Sequence, residues 1–271
     1  MGLRVNTNIA SITAQRHLLA NSQSLRGHFA RLGSGLRITT AADDASGLGI
    51  SERMRAEVRS LSAATRNIQD GISLTQVAEG ALQEISNIFI RMKELAVRAQ
   101  TGTLSDSDRS TLNDEYSALG SEVDRITQTT EFNGVSLFTS NTTIQIQAGD
   151  DADETIGIDL NQLNTLDGVF QGFPLDGPLG PSIPSEFITS LIDIVSGVRA
   201  TIGAATNALQ SALASTFNAR DQLSAAESRI RDVDIASETA LLTRDSILQQ
   251  AAVSVLAQAN ASPELALQLL G

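Results

Sequence analysis

The sequence predicts a mainly α fold. It should be a long antiparallel coiled-coil-like helical rod with a small β-hairpin region, its N- and C-terminal helices paired at the same end. Three observations carry this. Every seventh residue from Met54 reads Met54, Leu61, Ile68, Thr75, Leu82, Phe89, Ala96, and three residues after each come Glu57, Ala64, Gly71, Ala78, Ile85, Met92, Ala99. A second such stripe, Val195, Ile202, Leu209, Thr216, Leu223, Ile230, lies in the C-terminal half with a row rich in alanine beside it. Aromatic residues make up only 3% of the chain, and there is no Trp. A seam of Leu, Ile and Ala needs few aromatics, whereas a compact globular core normally uses them.

Taken in order, residues 4 to 32 have a helical pattern with two apolar rows. Leu18, Leu25 and Leu32 form one, flanked by Phe29 and Leu36, and Val5, Ile12 and Leu19 form the other. Two rows make an apolar face wider than one partner helix needs. Gly33, Gly35, Gly47 and Gly49 then bracket a break, with Asp43-Asp44 placed to cap the next helix. The rod from Ile50 to about Gln100 has no proline, and Thr101-Gly102-Thr103 ends it. At about 1.5 Å per residue it would be roughly 70 Å long, which calls for a partner along its whole length. Ser105-Asp106-Ser107-Asp108 is a close relative of the capping box. It opens a helix faced by Leu112, Tyr116, Leu119, Val123 and Ile126, which a short turn makes the antiparallel neighbour of the rod.

After Asn133-Gly134 the period changes to two. Thr143–Gln147 and Thr155–Leu160 alternate across the acidic turn Gly149–Asp153, the pattern of a β-hairpin. The Asp cluster lacks the spacing and distal Glu of a calcium loop. Residues 167–184 hold four of the five prolines and four glycines, a loop at the far end. The second stripe follows from about Ser185 and continues through Leu241, Leu248 and Val255, with Pro263 expected to interrupt it. Both termini then lie together, each with apolar surface that the other does not fully cover.

The net charge of −12 argues against a nucleic-acid binder. Its distribution is uneven: residues 1–42 hold five Arg and no acid, and residues 126–198 hold ten acids and no base. No run approaches 18 apolar residues, so no membrane insertion is expected. The N-terminus has no apolar stretch of the kind a secretory signal carries. There is no Cys, and the two histidines, His17 and His28, are eleven apart, so no HExxH site exists and both are read as core or interface residues. No catalytic, cofactor or metal residue is expected. Paired acids such as Asp114-Glu115 read as a charged helix face.

Several motifs now converge. Asn6-Thr7-Asn8, Leu32-Gly33-Ser34-Gly35-Leu36-Arg37-Ile38, Asp43-Asp44-Ala45-Ser46-Gly47-Leu48, Ile50-Ser51-Glu52-Arg53-Met54, Asp70-Gly71-Ile72-Ser73-Leu74, Ala78-Glu79-Gly80-Ala81-Leu82 and Glu131-Phe132-Asn133-Gly134 closely resemble bacterial flagellin. Ile247-Leu248-Gln249-Gln250-Ala251 and Ser254-Val255-Leu256-Ala257-Gln258-Ala259-Asn260 match its other end. The resemblance implies a filament-core domain from residues 1–42 and 230–271 and a rod domain from 43–138 and 187–229. Residues 139–186, the hairpin and Pro/Gly loop, stand where most members insert a variable outer domain.

It also implies the function. The chain would be a structural subunit of the extracellular flagellar filament, a homopolymer, exported unfolded and assembled at the tip as its terminal helices fold against neighbours. The terminal assembly seam would comprise Val5, Ile12, Leu18, Leu25, Phe29, Leu32, Leu241, Leu248, Val255 and Leu256. An export chaperone would bind Leu241 to Leu270, and a cap protein and hook-junction proteins would be further partners. In members seen by the host Toll-like receptor 5, the recognition surface matches Arg91–Val97, with Glu115 at the acidic position. Arg91, Leu95 and Glu115 are thus candidate receptor or subunit contacts, with Leu95 expected to be a partly exposed apolar residue beside a charge. A hook–filament junction protein is the alternative; the Asp43–Leu48 form favours flagellin over it. A cytoplasmic coiled-coil scaffold would leave the motifs unexplained.

Overall fold

The structure is a computed structural model that describes residues 7–139, 143–160 and 185–270. Among these are five helices: α1 (Ile9–Ser34), α2 (Ala45–Ala99), α3 (Asp106–Thr129), α4 (Ser185–Arg231) and α5 (Ile235–Leu270). Four short strands, β1 (Glu131–Phe132), β2 (Val135–Ser136), β3 (Ile144–Gln147) and β4 (Thr155–Ile158), form two antiparallel pairs. The chain divides into two compact units, Met1–Ala56 with Gln222–Gly271, and Glu57–Asp221. The Pro/Gly loop and Val5 lie outside the described residues.

In the unit Glu57–Asp221, the predicted stripe is the core. Ile68, Ala78, Leu82, Ile85, Phe89 and Met92 of α2 are fully buried, as are Val195, Ile202 and Leu209 of α4. Full burial of such a side chain contributes about 1.5–3 kcal/mol, so this seam is the main source of the unit's stability. The two helices run antiparallel. Glu79 on α2 pairs with Arg199 on α4 at 2.7 Å, while Asn67 and Thr216 both reach the same edge of the hairpin, at Gln147 O and Ala148 O. As the numbers fall along α2, they climb along α4. The expected alanine row is buried less deeply: Ala205, Ala212 and Ala226 are half-buried and Ala219 is exposed. By length and hydropathy α4 would suffice to cross a membrane, a test that core helices also pass, and its Ile188, Val195, Val198 and Ile202 lie here in the same buried cluster as the α2 stripe.

Helix α3 returns beside α2. Its capping box is present, Ser105 accepting from Asp108 N and Asp108 accepting from Ser105 N. Arg109 donates to Ala99 O and Thr101 O, tying the turn to the end of α2. The pairs β3 and β4 have the register Ile144↔Ile158 to Gln147↔Thr155. Strand β3 sits directly on α2: a Cβ at Gly71 would lie 3.0 Å from Ile146 Cγ1, so glycine makes room for the hairpin. The pair β1 and β2 is additional to the sequence reading. Its turn is Asn133-Gly134, both left-handed at φ 51° and 76°, the signature of a two-residue hairpin loop.

In the other unit, α1 packs on α5. Gly47 and Gly49, expected in the break, lie inside α2, which starts at Ala45 with Asp44 accepting from Gly47 N at 2.8 Å. The true break is shorter. Leu36 bridges to Asp232, Arg37 N donates to Arg231 O at 2.7 Å and Val233 N to Gly35 O at 3.0 Å. Arg231 also reaches Glu52 at 2.6 Å. Pro263 does not interrupt α5, which continues to Leu270.

Candidate assembly surface

The α1/α5 pair holds together by a narrow apolar contact and a set of polar clasps. Ala14 and Leu25 of α1 are buried, and Leu18 and Leu32 are half-buried. On α5, Leu241 and Leu256 are half-buried. His28 is the buried histidine of the pair. Its Nδ1 lies 2.7 Å from Glu238 Oε1 and its Nε2 3.3 Å from Asp245 Oδ2, both carboxylates being buried as well. Arg31 joins Glu238 at 3.3 Å, and Arg244 joins Asp245 at 3.2 Å. This is an interhelical clasp, which agrees with a core reading for His28; His17 is exposed. Nearer the chain ends, Asn8 Nδ2 donates to Ala259 O at 2.6 Å and Ser11 Oγ to Asn260 Oδ1 at 2.8 Å.

Other apolar side chains of the pair are left open. Leu19 is 68% exposed and Phe29 62%, with Ile9 and Ile12 also exposed on α1. Ile235, Ile247, Leu248, Val253 and Val255 are exposed on α5. So many large apolar side chains left in water on one helix pair is more than the pair's own packing can cover. Of the expected seam, Leu18, Leu25, Leu32, Leu241 and Leu256 thus serve the α1/α5 contact in whole or part, while Ile12, Phe29, Leu248 and Val255 face outward. Ile9, Ile235, Ile247 and Val253 are also exposed, outside the rows that seven-residue spacing marks.

On the other unit, Arg91 Nη2 lies 2.7 Å from Glu115 Oε1 on α3, and Arg91 Nη1 lies 3.0 Å from Glu94. The hydrogen bonds to Glu115 and then Glu94 push the Arg91 pKa upward. The pairing of Arg91 with Glu115 brings these two candidates together. Leu95 does not join them at the surface. It is 3% exposed and belongs to the buried core, correcting the expectation that it would be partly open. It falls three residues after Met92, on the inward side of α2. The exposed apolar residues here are Ile90 and Val97, which line a shallow cleft with Lys93, Glu94, Arg98 and Thr101. Their seven-residue spacing could have indicated a second face.

Residues 5–143 match the family model described as the bacterial flagellin N-terminal helical region, and residues 186–270 match the bacterial flagellin C-terminal helical region. The chain is 41% identical to a flagellin of Halalkalibacterium halodurans over 98% of its own length and 99% of that protein's. It is 37% identical to a flagellin of Bacillus subtilis, over 99% of this chain and 100% of that one. It is also 36% identical to a flagellar filament 30.7 kDa core protein of Treponema maltophilum, over 98% of this chain and 99% of that one.

Proposed function

We infer the mode of action from one premise: this chain belongs to the bacterial flagellin family, in a short form. It is a structural subunit of the flagellar filament, and it polymerises with itself. The single observation behind the mechanism proposed here is the number of large apolar side chains that the α1/α5 pair leaves exposed. A lone subunit gains little from ordering helices whose apolar residues stay in water, because burial has to offset about 1–2 kcal/mol of backbone entropy per residue. Packing against neighbours supplies the missing burial. Folding of the ends and polymerisation are then one event, and a repeated contact that does not close on itself grows as a filament.

The further reading follows the family. The chain leaves the cell unfolded, without need of a signal peptide, and is assembled at the filament tip under a cap protein, outside the cell and beyond the hook-junction proteins. Before export, a chaperone covers the apolar face of α5. Arg91 and Glu115 offer a polar contact for a neighbouring subunit, or for Toll-like receptor 5 where a host is met, with Leu95 supporting them from behind. The family is structural, and we assign no catalytic role or cofactor.

Deletion of residues 1–20 or of residues 252–271 tests the mechanism. Soluble monomer without filaments, seen by sedimentation and electron microscopy, is expected from each. Normal filaments from either deletion would overturn coupled folding and assembly.

A further inference from the structure

The end of α5 has a backbone defect that the start of α1 repairs. Pro263 lies inside α5. Proline has no amide hydrogen, so the carbonyl four residues earlier, Ala259 O, loses its intrahelical donor. That carbonyl accepts instead from Asn8 Nδ2 at 2.6 Å, across 251 residues of sequence. The same Asn8 side chain caps α1, its Oδ1 accepting from Ser11 N at 3.0 Å. Only one orientation of the amide serves both bonds, since the reverse would set NH2 against N–H and oxygen against carbonyl. One residue further on, buried Ser11 donates to Asn260 Oδ1 at 2.8 Å and fixes the same register.

We propose that Asn8 is the substitute donor that carries α5 through Pro263, so that the last turns at one end of the chain are helical only while the other end is docked on them. A polar acceptor left without a donor in a partly buried place is costly, and the docked Asn8 removes that cost. The coupling is reciprocal: helix beyond Pro263 favours a docked α1 to the same degree that docked α1 favours the helix. The proposal deepens the filament reading and rests on it only in taking α1 and α5 as the elements that order together.

The test is a double-mutant cycle on the full chain, with Asn8→Asp, Pro263→Ala and both together. Aspartate keeps the cap and removes the donor; Asn8→Ser, a cap without charge, checks that repulsion is not the cause. Backbone amide exchange of the segment 256–270 is read by mass spectrometry in the polymer and in the soluble chain. With Pro263 in place, both Asn8 variants are expected to speed exchange about threefold or more, and with Pro263→Ala, whose new N–H serves Ala259 O, by much less. Equal acceleration in both backgrounds overturns the proposal. So does exchange unchanged by Asn8→Asp, or a wild-type segment that is unprotected in both forms. A wild-type chain that never polymerises refutes the filament reading instead, and the cycle is then decided on the soluble chain.

Discussion

Replacing His28 with alanine should loosen α1 from α5 by an amount the geometry bounds. His28 lies between Glu238 at 2.7 Å and Asp245 at 3.3 Å, and the three are only 8%, 6% and 5% exposed. A hydrogen bond to a charged group contributes about 1.5–3 kcal/mol, and removing one partner of a buried pair costs about 3–5 kcal/mol because the other charge stays uncompensated. Here each carboxylate keeps a second partner, Arg31 at 3.3 Å and Arg244 at 3.2 Å. Both arginines are partly exposed, so the compensation is incomplete. The expected loss is therefore about 2–3 kcal/mol, below the full penalty. Urea unfolding followed by helical circular dichroism measures it, alongside Glu238→Gln and the double variant. Neutralising Glu238 in the His28→Ala background should recover part of the loss, since the stranded charge is then gone. A loss below about 0.5 kcal/mol, or strict additivity of the two substitutions, would refute the idea that this clasp holds the pair.

Three further outcomes are expected. Asp43 accepts from Thr40 N first, then from the Thr39 hydroxyl, Thr39 N and the Thr40 hydroxyl, which lower its pKa to about 2. Its folded value lies below its unfolded one, so its stabilisation of the 39–43 turn is present above about pH 4 and is lost as pH falls through about 2. Asp43→Asn should abolish that acid-range change, and a carboxyl titration by NMR with its midpoint at the ordinary value would count against the four-bond cradle. Tyr116→Phe should leave stability unchanged or raise it by up to about 1 kcal/mol, because its buried hydroxyl has no hydrogen-bond partner among the described residues and burial pushes its pKa to about 12. A clear drop in urea midpoint would show a partner that the fold does hold. Leu95→Ala should cost about 2–5 kcal/mol as a core cavity, whereas Arg91→Ala, losing only solvent-exposed ion pairs, should leave the melting temperature nearly unchanged. Lost receptor signalling or subunit contact in Arg91→Ala with unchanged melting would identify a surface role; the same loss in Leu95→Ala would not, and equal melting of the two variants would contradict the burial of Leu95.

The parts of this fold that repeat were readable in the residues, and the parts that occur once were not. A seven-residue stripe averages over many turns, so the seam from Leu61 to Phe89 and its partner from Val195 to Leu209 were evident without coordinates. Alternation did the same for β3 and β4. The burial of Leu95 is not legible from spacing, which places it only within about a quarter turn of the seam; packing of α3 against α2 decides the rest. The passage of α5 through Pro263 depends on a bond from Asn8 to Ala259 O, 251 positions apart in the chain, and the His28 clasp on carboxylates 210 and 217 positions away. No local pattern encodes such pairings. The tight turn at Asn133-Gly134 is a local signal, but the strands it joins are only two residues long and too short to show alternation.

Tyr116 has a consequence for anyone watching this chain fold. It is the sole tyrosine, and tryptophan is absent, so near-ultraviolet emission comes essentially from one ring inside the unit Glu57–Asp221. The α1/α5 pair, with neither tyrosine nor tryptophan, is silent in that emission. A fluorescence trace would report a well-behaved protein while its sticky ends ordered or melted unseen, and a reporter indole set at position 29, where the native Phe29 ring faces solvent, would light up at the moment neighbours close over it.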